Sequence, residues 1–174
     1  MAALSKERMA ARLKLVEEHV RLENSRDLDG IMATFGAGAR YDDEPWDLHY
    51  AGRDEVRSFY EGLLQALPDL RIDVLHNHAS DTAIVLEVTI RGRHVGHWRG
   101  LPPTGSPVSF PLCGIFTFDG DDRLAGERIY YDRATVLGQL GVLHDPQSVL
   151  GRVSTALLHP VTMAKVVARL FRKN

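Results

Sequence analysis

Residues 82–95 of the chain read TAIVLEVTIRGRHV, and this stretch decides the fold. Apolar and polar residues alternate along it with a period of two, which is typical of a β-strand with one face turned to the interior. The apolar residues that share the interior face are Ile84, Leu86, Val88 and Ile90. His94 continues the same face, so we expect its imidazole to point inwards near the end of the strand.

Similar patterns on either side of this stretch predict an α+β fold. Further strands are predicted at residues 39–44, 70–78, 108–118 and 124–132, and the stretch 45–52 is predicted to be a loop. Apolar residues recur at helical spacing in residues 5–26 and 53–66, and shorter helical segments are predicted at 31–35 and 135–140. A strongly curved sheet that wraps around the helices would leave a conical cavity open at one end.

Length and composition describe one ordinary globular domain with room for a cavity. The 174 residues are 44% hydrophobic and 25% charged, and their net charge of −2 gives no basic surface for nucleic acid. No apolar run is long enough to span a membrane, and the first residues lack the apolar core of a secretory signal. The single cysteine, Cys113, fits a reducing compartment. We therefore expect a cytoplasmic protein that binds no nucleic acid.

The C-terminal residues differ in charge from the rest of the chain. No acidic residue follows Asp145, whereas five basic residues do: Arg152, Lys165, Arg169, Arg172 and Lys173. We place a boundary here, with one domain at residues 1–144 and a helical extension at residues 145–174. Residues 159–173 predict an amphipathic helix with a basic side. Its apolar side would pack on the domain or on a dimer partner, or else make a peripheral contact with an anionic membrane.

Asp132 is the strongest candidate for an acid–base group. It follows the strand-like residues 128–131 and precedes the helix-like residues 135–140. A carboxyl group at the inner end of a strand has a shifted pKa, which suits it to proton transfer. An aspartate just before a helix can equally serve as its N-cap. The prediction is that Asp132 and His94 face one another across a single pocket.

A set of short motifs resembles the SnoaL-like polyketide cyclase family. The main motif runs His94-x-Gly96-x-x-x-Gly100-Leu101-Pro102-Pro103-Thr104-Gly105, and Glu127, Asp132 and Gln139-Leu140-Gly141 follow it. Asp43-Glu44-Pro45, Gly52-x-x-x-Val56 and Pro68-Asp69-Leu70 extend the likeness to about residues 8–142. The family shares its fold with ketosteroid isomerase and nuclear transport factor. The resemblance implies a cone-shaped, curved antiparallel sheet wrapped around N-terminal helices, a buried pocket, a homodimer, and no metal or organic cofactor.

The resemblance also assigns candidate site residues. Asp132 matches the family's acid/base aspartate, and His94 matches the histidine that faces it. Two positions depart from the family pattern, because Arg128 replaces a common aromatic residue and His97 replaces a common acidic one. An ion pair between Arg128 and Asp132 would lower the pKa of the aspartate. The residues expected to bind the substrate are Glu44, Trp46, Tyr60, His97, Trp98, Phe116, Arg128 and Tyr130.

These residues predict acid–base catalysis on a hydrophobic, carbonyl-bearing small molecule. In a polyketide-type cyclisation or an isomerisation, a carbon next to a carbonyl loses a proton and the resulting enolate reacts further. Such an enzyme would be a lyase or an isomerase. Two alternatives stay open: an epoxide-hydrolase-like activity on the same fold, and a non-catalytic carrier of an apolar ligand. His76 and His78 share a strand face but have no third ligand at a diagnostic spacing, so no metal site is predicted there.

Overall fold

The structure is a computed structural model that describes residues 4–145 and 147–171. The described residues form the helices α1 (Lys6–Ser25), α2 (Leu28–Thr34), α3 (Arg53–Ala66), α4 (Arg133–Gln139), α5 (Val149–Leu158) and α6 (Pro160–Phe171). The strands are β1 (Arg40–Asp43), β2 (Leu48–Ala51), β3 (Arg71–Ala79), β4 (Ala83–Arg93), β5 (Pro107–Phe118) and β6 (Leu124–Tyr131). A single 3₁₀ turn, Glu44–Trp46, joins β1 to β2.

The six strands make one curved sheet in the order β2-β1-β6-β5-β4-β3. Neighbouring strands run antiparallel except β1 and β6, which run parallel with Tyr41 opposite Glu127 and Asp43 opposite Ile129. The parallel pair brings the first strand of the chain beside the last one. As a result, residues from β1 and β6 can contribute to the same side of one cavity.

The helices α1 and α3 cover the inner face of this sheet and form the core with it. Val16 on α1, Val56 on α3 and Ile84 on β4 are all fully buried. Ser5 caps α1 because its hydroxyl accepts a hydrogen bond from the backbone N–H of Arg8 at 3.2 Å. The prediction of an α+β cone with a curved sheet around N-terminal helices is confirmed.

Most predicted elements are present, and one strand was missed. The helix predicted at residues 53–66 and the strand predicted around 82–95 lie where the patterns placed them. Residues 48–51, predicted to be a loop, form β2. This strand pairs with β1 alone and leaves three of its four side chains exposed. It therefore has no apolar alternation from which a sequence pattern could detect it.

The extension after residue 145 contains two helices, α5 and α6, which pack mainly on each other. The apolar side chains of Val149, Leu157 and Leu158 on α5 are exposed. The predicted basic helix at residues 159–173 corresponds to α6, although Arg172 and Lys173 lie outside the described residues. No helix formed by the described residues has both the length and the apolar character that a membrane crossing requires. The domain boundary near residue 145 stays a prediction.

Candidate functional site

A cavity lies between the helices and the inner face of the sheet. Its walls are mostly apolar and come from α1, α3, α4, the strands β1 and β3 to β6, and the segment after β4. Eight of the residues that line it have polar side-chain atoms: Glu23, Tyr41, Asp43, His94, Trp98, Arg99, Glu127 and Tyr131. Polar groups are few on an apolar wall in a typical small-molecule site, where they orient the ligand.

Asp43, the last residue of β1, forms a buried salt bridge with Arg99 inside this cavity. Only 1% of Asp43 is exposed, and its Oδ2 accepts a hydrogen bond from Nη2 of Arg99. Nη1 of Arg99 donates a second hydrogen bond, of 2.6 Å, to the hydroxyl of Tyr50. Burial raises the pKa of Asp43, and the positive charge of Arg99 opposes the rise. The pair thus presents a carboxyl group and a guanidinium on one side of the cavity.

A tight turn directs Arg99 towards Asp43. The backbone groups of Trp98 and Leu101 exchange two hydrogen bonds, of 3.1 and 2.8 Å, around Arg99 and Gly100. Both central residues have positive φ, 52° at Arg99 and 78° at Gly100, which is the geometry of a type I′ turn. Glycine adopts this conformation freely, whereas for arginine it is strained. Observed strain at a residue that lines a cavity is a pointer to function.

His94 lies just beyond the end of β4 and is 1% exposed. Its Nδ1 is 3.1 Å from Oγ1 of Thr104. The backbone N–H of Thr104 donates to the same Nδ1 at 3.4 Å, so the neutral ring carries its proton on Nε2, which is a hydrogen-bond donor. Burial lowers the pKa of His94, so the ring is neutral at pH 7. The predicted inward orientation of His94 agrees with its place on the cavity wall.

The segment that carries His94 and Arg99 is held against the end of α3. The backbone N–H groups of Val95 and Gly96 both donate to the carbonyl of Ala66, at 3.0 and 3.3 Å. A Cβ atom at Gly96 would lie 2.3 Å from the carbonyl oxygen of Gln65. Only glycine permits this approach, which explains the glycine two residues after the histidine.

Tyr131, the last residue of β6, brings a hydroxyl to the same cavity. It accepts a 2.7 Å hydrogen bond from the indole N–H of Trp46. Burial raises the pKa of Tyr131, and the negative charge of Asp43 adds to the rise. The ring of Trp46 also packs edge-to-face on Trp98, with centroids 5.6 Å apart. The hydroxyl therefore stays protonated and available as a hydrogen-bond donor.

Three buried polar atoms have no hydrogen-bond partner among the described residues: Oδ1 of Asp43, Nε2 of His94 and Nε of Arg99. All three residues line the cavity. An unpartnered buried polar group costs about 1–3 kcal/mol, so folded proteins retain few of them. Because all three face one cavity, we infer that they form hydrogen bonds with a ligand bound there. We call Asp43, His94, Arg99 and Tyr131 the Asp43 site.

A second group of polar residues, which we call the His19 cluster, consists of His19, Glu23, Tyr60 and Glu127. Nδ1 of His19 is 2.7 Å from Oγ1 of Thr34, and its Nε2 is 3.0 Å from the hydroxyl of Tyr60. That hydroxyl donates a 2.7 Å hydrogen bond to Oε2 of Glu127. Glu23 and Glu127 line the cavity.

Burial and mutual repulsion alter the proton affinities within the His19 cluster. Burial raises the pKa of Glu23 to about 8, against the opposing charge of His19 and with the help of Glu127. Burial disfavours the charged form of His19, but the carboxyl groups of Glu23 and Glu127 outweigh it and raise the His19 pKa. One side-chain atom from each of His19, Glu23 and Glu127 lies within 4.8 Å of the others, so the charge on any one of them affects the pKa of the other two.

The structure does not place Asp132 in the cavity, so the expected pocket shared with His94 requires correction. Asp132 is exposed and caps α4, accepting hydrogen bonds from the backbone N–H of Ala134 at 2.9 Å and of Thr135 at 3.3 Å. The Thr135 hydroxyl donates a further hydrogen bond of 2.6 Å, and together these interactions lower the pKa of Asp132. The capping alternative therefore describes the position of this residue.

Arg128, Glu44 and Tyr130 do not line the cavity. Arg128 pairs with Glu44 at 3.1 Å and with Asp42 at 3.4 Å, and the ion pair with Asp132 that the sequence left open is absent from the described contacts. Tyr130 is 44% exposed, on the face of β6 opposite Ile129. Arg128 and Tyr130 are each an even number of residues from Asp132, but β6 ends at Tyr131, so the position of Asp132 does not indicate which face of the strand they occupy.

The other predicted site residues divide into two groups. Trp98 and Phe116 line the cavity, and Trp46 contacts two residues that do. Tyr60 is buried within the His19 cluster. His97, in contrast, is exposed and does not line the cavity. On β3, His76 and His78 are exposed, and His78 bonds to Glu87 at 3.0 Å.

Sequence reasoning missed six polar residues of the two sites: His19, Glu23, Asp43, Arg99, Glu127 and Tyr131. For two of these residues, the sequence contains a pattern that could have identified them. Ile129 is an apolar residue of β6, and counting two residues on from it places Tyr131 on the inner face. Asp43 belongs to the Asp43-Glu44-Pro45 motif, in which Glu44 was favoured instead.

Comparison with known proteins identifies the family. Residues 13–140 match the family of SnoaL-like polyketide cyclases. The chain belongs to this family. No curated protein matches the sequence. The sequence resemblance and the predicted fold are thereby confirmed.

Solved structures support the SnoaL-like assignment. AclR, a candidate hydroxylase from Streptomyces galilaeus, is 29% identical, with a TM-score of 0.68 over 78% of this chain and 99% of its own. A candidate SnoaL-like polyketide cyclase from Jannaschia sp. CCS1 is 18% identical, with a TM-score of 0.73 over 82% of this chain and 100% of its own. SalBIII, an epoxide hydrolase/cyclase-like enzyme with a role in pyran ring formation in salinomycin, is 19% identical, with a TM-score of 0.61 over 71% and 92%.

Proposed function

We propose that this SnoaL-like protein is an acid–base enzyme that cyclises or isomerises a hydrophobic, carbonyl-bearing small molecule through an enolate. The observation that carries the proposal is the trio of unpartnered buried atoms, on Asp43, His94 and Arg99, that belongs to one apolar cavity. An apolar wall desolvates the substrate, and the few polar atoms then act on its oxygens in a medium of low dielectric constant.

Asp43 is the proton carrier in this proposal, and His94 is a hydrogen-bond donor. Burial raises the pKa of Asp43, and its free Oδ1 can accept a proton from a carbon that lies next to a carbonyl group. The electron pair of the broken C–H bond moves into the enolate, whose oxygen can accept a hydrogen bond from the Nε2–H of His94. The enolate carbon then bonds to a second carbonyl carbon, and Asp43 returns the proton to the new alkoxide. An isomerisation follows the same course, except that the proton returns to a different carbon.

Arg99 stabilises the charge that develops on the substrate oxygen. The Nε–H of Arg99 has no acceptor among the described residues and can donate to the enolate oxygen. Asp43 holds the guanidinium in place through the salt bridge. Tyr131 offers a further donor to the same oxygen.

Deuterium exchange tests the proposal without knowledge of the natural substrate. The apolar ketone β-tetralone has acidic hydrogens next to its carbonyl, and NMR in D₂O records their replacement. We expect the wild-type protein to accelerate exchange, and Asp43→Asn to reduce the acceleration by about 100-fold, because the amide cannot accept the proton and Arg99 loses its anionic partner. Asp132→Asn is the matched control, since it removes a carboxyl group outside the cavity. A non-catalytic carrier would bind the ketone with no acceleration by any variant.

Epoxide opening by water is a second candidate, and the free Oδ1 of Asp43 favours it. A buried carboxylate held by an arginine can accept a proton from a water molecule that attacks the epoxide carbon. Incubation of a hydrophobic epoxide with the protein in isotopically labelled water distinguishes the two reactions. A diol that contains one labelled oxygen indicates hydrolysis, whereas the enolate mechanism incorporates none.

A further inference from the structure

The His19 cluster contains a carboxyl group that has no role in the proposed reaction. Glu23 is 5% exposed and lines the cavity. Its polar neighbours are Nε2 of His19, 3.8 Å from Oε1, and the hydroxyl of Tyr60, which donates its shortest hydrogen bond to Glu127. A buried carboxyl group with so few hydrogen-bonding partners is costly, so its place on the cavity wall calls for an explanation.

The hydrogen bonds around His19 determine where the protons of the cluster are. The Thr34 hydroxyl donates to the carbonyl of Ile31 at 2.6 Å, so Nδ1 of His19 must donate to Thr34. The Tyr60 hydroxyl donates to Glu127, so its oxygen accepts from Nε2 of His19. His19 therefore carries a proton on both nitrogens. This positive charge is matched by the Glu127 carboxylate, which leaves Glu23 as a neutral acid with a spare O–H.

The two polar sites occupy different positions along the same strands. Glu127 lies opposite Tyr41 in the sheet, and Ile129, two residues further along β6, lies opposite Asp43. Two residues of a strand span roughly 7 Å. The apolar side chains of Ile129, Phe110 and Leu112 line the cavity together with both sites. The cavity therefore offers hydrogen bonds at two places that are separated along an apolar wall.

We propose that Glu23 donates a hydrogen bond to a second oxygen of the substrate, so that the substrate is an elongated apolar molecule with an oxygen at each end. The inference rests on the proposed function only in taking the Asp43 site as the place where the reacting carbonyl binds. A ketone or ether oxygen meets the requirement, because such an oxygen only accepts hydrogen bonds. A hydrocarbon end or a carboxylate end does not.

The test compares two ketones of the same shape by isothermal titration calorimetry. One is a decalin diketone with a carbonyl at each end, and the other is the matched decalin monoketone. At pH 6 we expect the diketone to bind the wild-type protein about five- to tenfold more tightly than the monoketone. This preference exceeds the twofold statistical factor, which arises because the diketone can bind in either of two equivalent orientations. Glu23→Leu should abolish the preference. Glu23→Gln should keep it, because the amide still donates.

The same preference should depend on pH in the wild-type protein alone. Glu23 has a pKa of about 8, and the titratable groups that face it are His19, Tyr41, Tyr60 and Glu127. Above pH 8 the ionised Glu23 can no longer donate, so the diketone preference should fall by pH 9, whereas in Glu23→Gln it should remain. The wild-type comparison needs no variant to fold. Neither ketone titrates in this range.

Two results would overturn the inference: equal affinity for the two ketones beyond the statistical factor, or an unchanged preference in a folded Glu23→Leu variant. The proposed reaction fails separately. If the wild-type protein accelerates exchange of β-tetralone but shows no diketone preference, only the second hydrogen bond is wrong. If it prefers the diketone but accelerates no exchange, the subsite at Glu23 stands and the enolate reaction is wrong.

Discussion

At the scale of single residues, the buried carboxyl group of Glu23 makes the stability of the protein depend on pH. Its pKa is about 8 in the folded protein, against an ordinary value of 4.5. Between these two pH values the folded state binds one more proton than the unfolded state. The free energy of unfolding therefore falls as pH rises from about 4.5 to about 8. The contribution of Glu23 to the free energy of unfolding is therefore fully present below pH 4.5 and lost above pH 8.

Glu23→Gln should remove this dependence, because an amide resembles the protonated acid and does not titrate. We expect the melting temperature of the variant to rise relative to the wild type as pH increases from 5 to 9. Thermal unfolding followed by circular dichroism in a series of buffers measures the difference. A constant difference across this range would show that Glu23 titrates normally in the folded protein.

Asp132 should contribute to stability and not to proton transfer. Its side chain accepts hydrogen bonds from the first turn of α4, and replacing such a cap by alanine costs about 1 kcal/mol. We expect Asp132→Ala to lower the free energy of unfolding by about this amount at pH 7, with little change in ketone exchange. Because the pKa of Asp132 is lowered, its contribution should disappear as pH falls below 3.8. Loss of exchange at unchanged stability would restore Asp132 as the acid.

At the scale of elements, the segment after β4 depends on a glycine that the packing requires. Gly96→Ala would force a Cβ against the backbone of Gln65, so the segment that carries His94 and Arg99 must move. We expect a loss of about 1–3 kcal/mol in unfolding free energy, together with a loss of exchange activity.

Gly62→Ala in α3 is the matched control, because no other atom lies within 4 Å of a Cβ added there. Helix propensity predicts a gain of about 0.5–1 kcal/mol from this substitution. Chemical denaturation of both variants measures the two effects. A Gly96→Ala protein with wild-type stability and activity would show that the segment tolerates displacement.

At this scale, the sequence predicted a helix or strand well where its apolar residues recur at a regular spacing. The long strand β4 buries four alternating apolar residues, so both its extent and the inward turn of His94 followed from the pattern. The inner face of β6 contains the polar residues Glu127 and Tyr131, so the alternation of apolar and polar residues in this strand is hard to recognise from the sequence. Arg99 reaches the cavity through a turn with two positive φ angles. No periodicity describes such a turn, and its side-chain direction depends on contacts distant in sequence.

At the scale of the whole molecule, the cone and the C-terminal extension should be separable. The helices α5 and α6 pack mainly on each other, and every residue that lines the cavity precedes residue 141. A protein that ends at Asp145 should melt within about 3 °C of the full chain and retain ketone exchange. Differential scanning calorimetry of the two proteins makes the comparison. Loss of cooperative unfolding in the shortened chain would place the extension within the domain.

The two sites of the cavity were harder to predict than the cone that contains them. The cone forms because helices and strands bury their apolar faces, and many residues along the chain show this apolar pattern. The His19 cluster joins α1, α3 and β6, and the Asp43 site joins β1, β6 and the segment after β4. The Asp43 site also depends on the parallel pairing of β1 with β6, which no local pattern encodes.

The central claim is that a neutral imidazole inside the cavity donates a hydrogen bond to the enolate oxygen while a ketone loses a proton. The most direct measurement is the rate of deuterium incorporation into β-tetralone at pH 7 by wild-type protein and by His94→Leu. We predict that the variant folds, binds the ketone, and loses at least about 100-fold of the acceleration. An exchange rate in His94→Leu equal to that of the wild type would contradict the account.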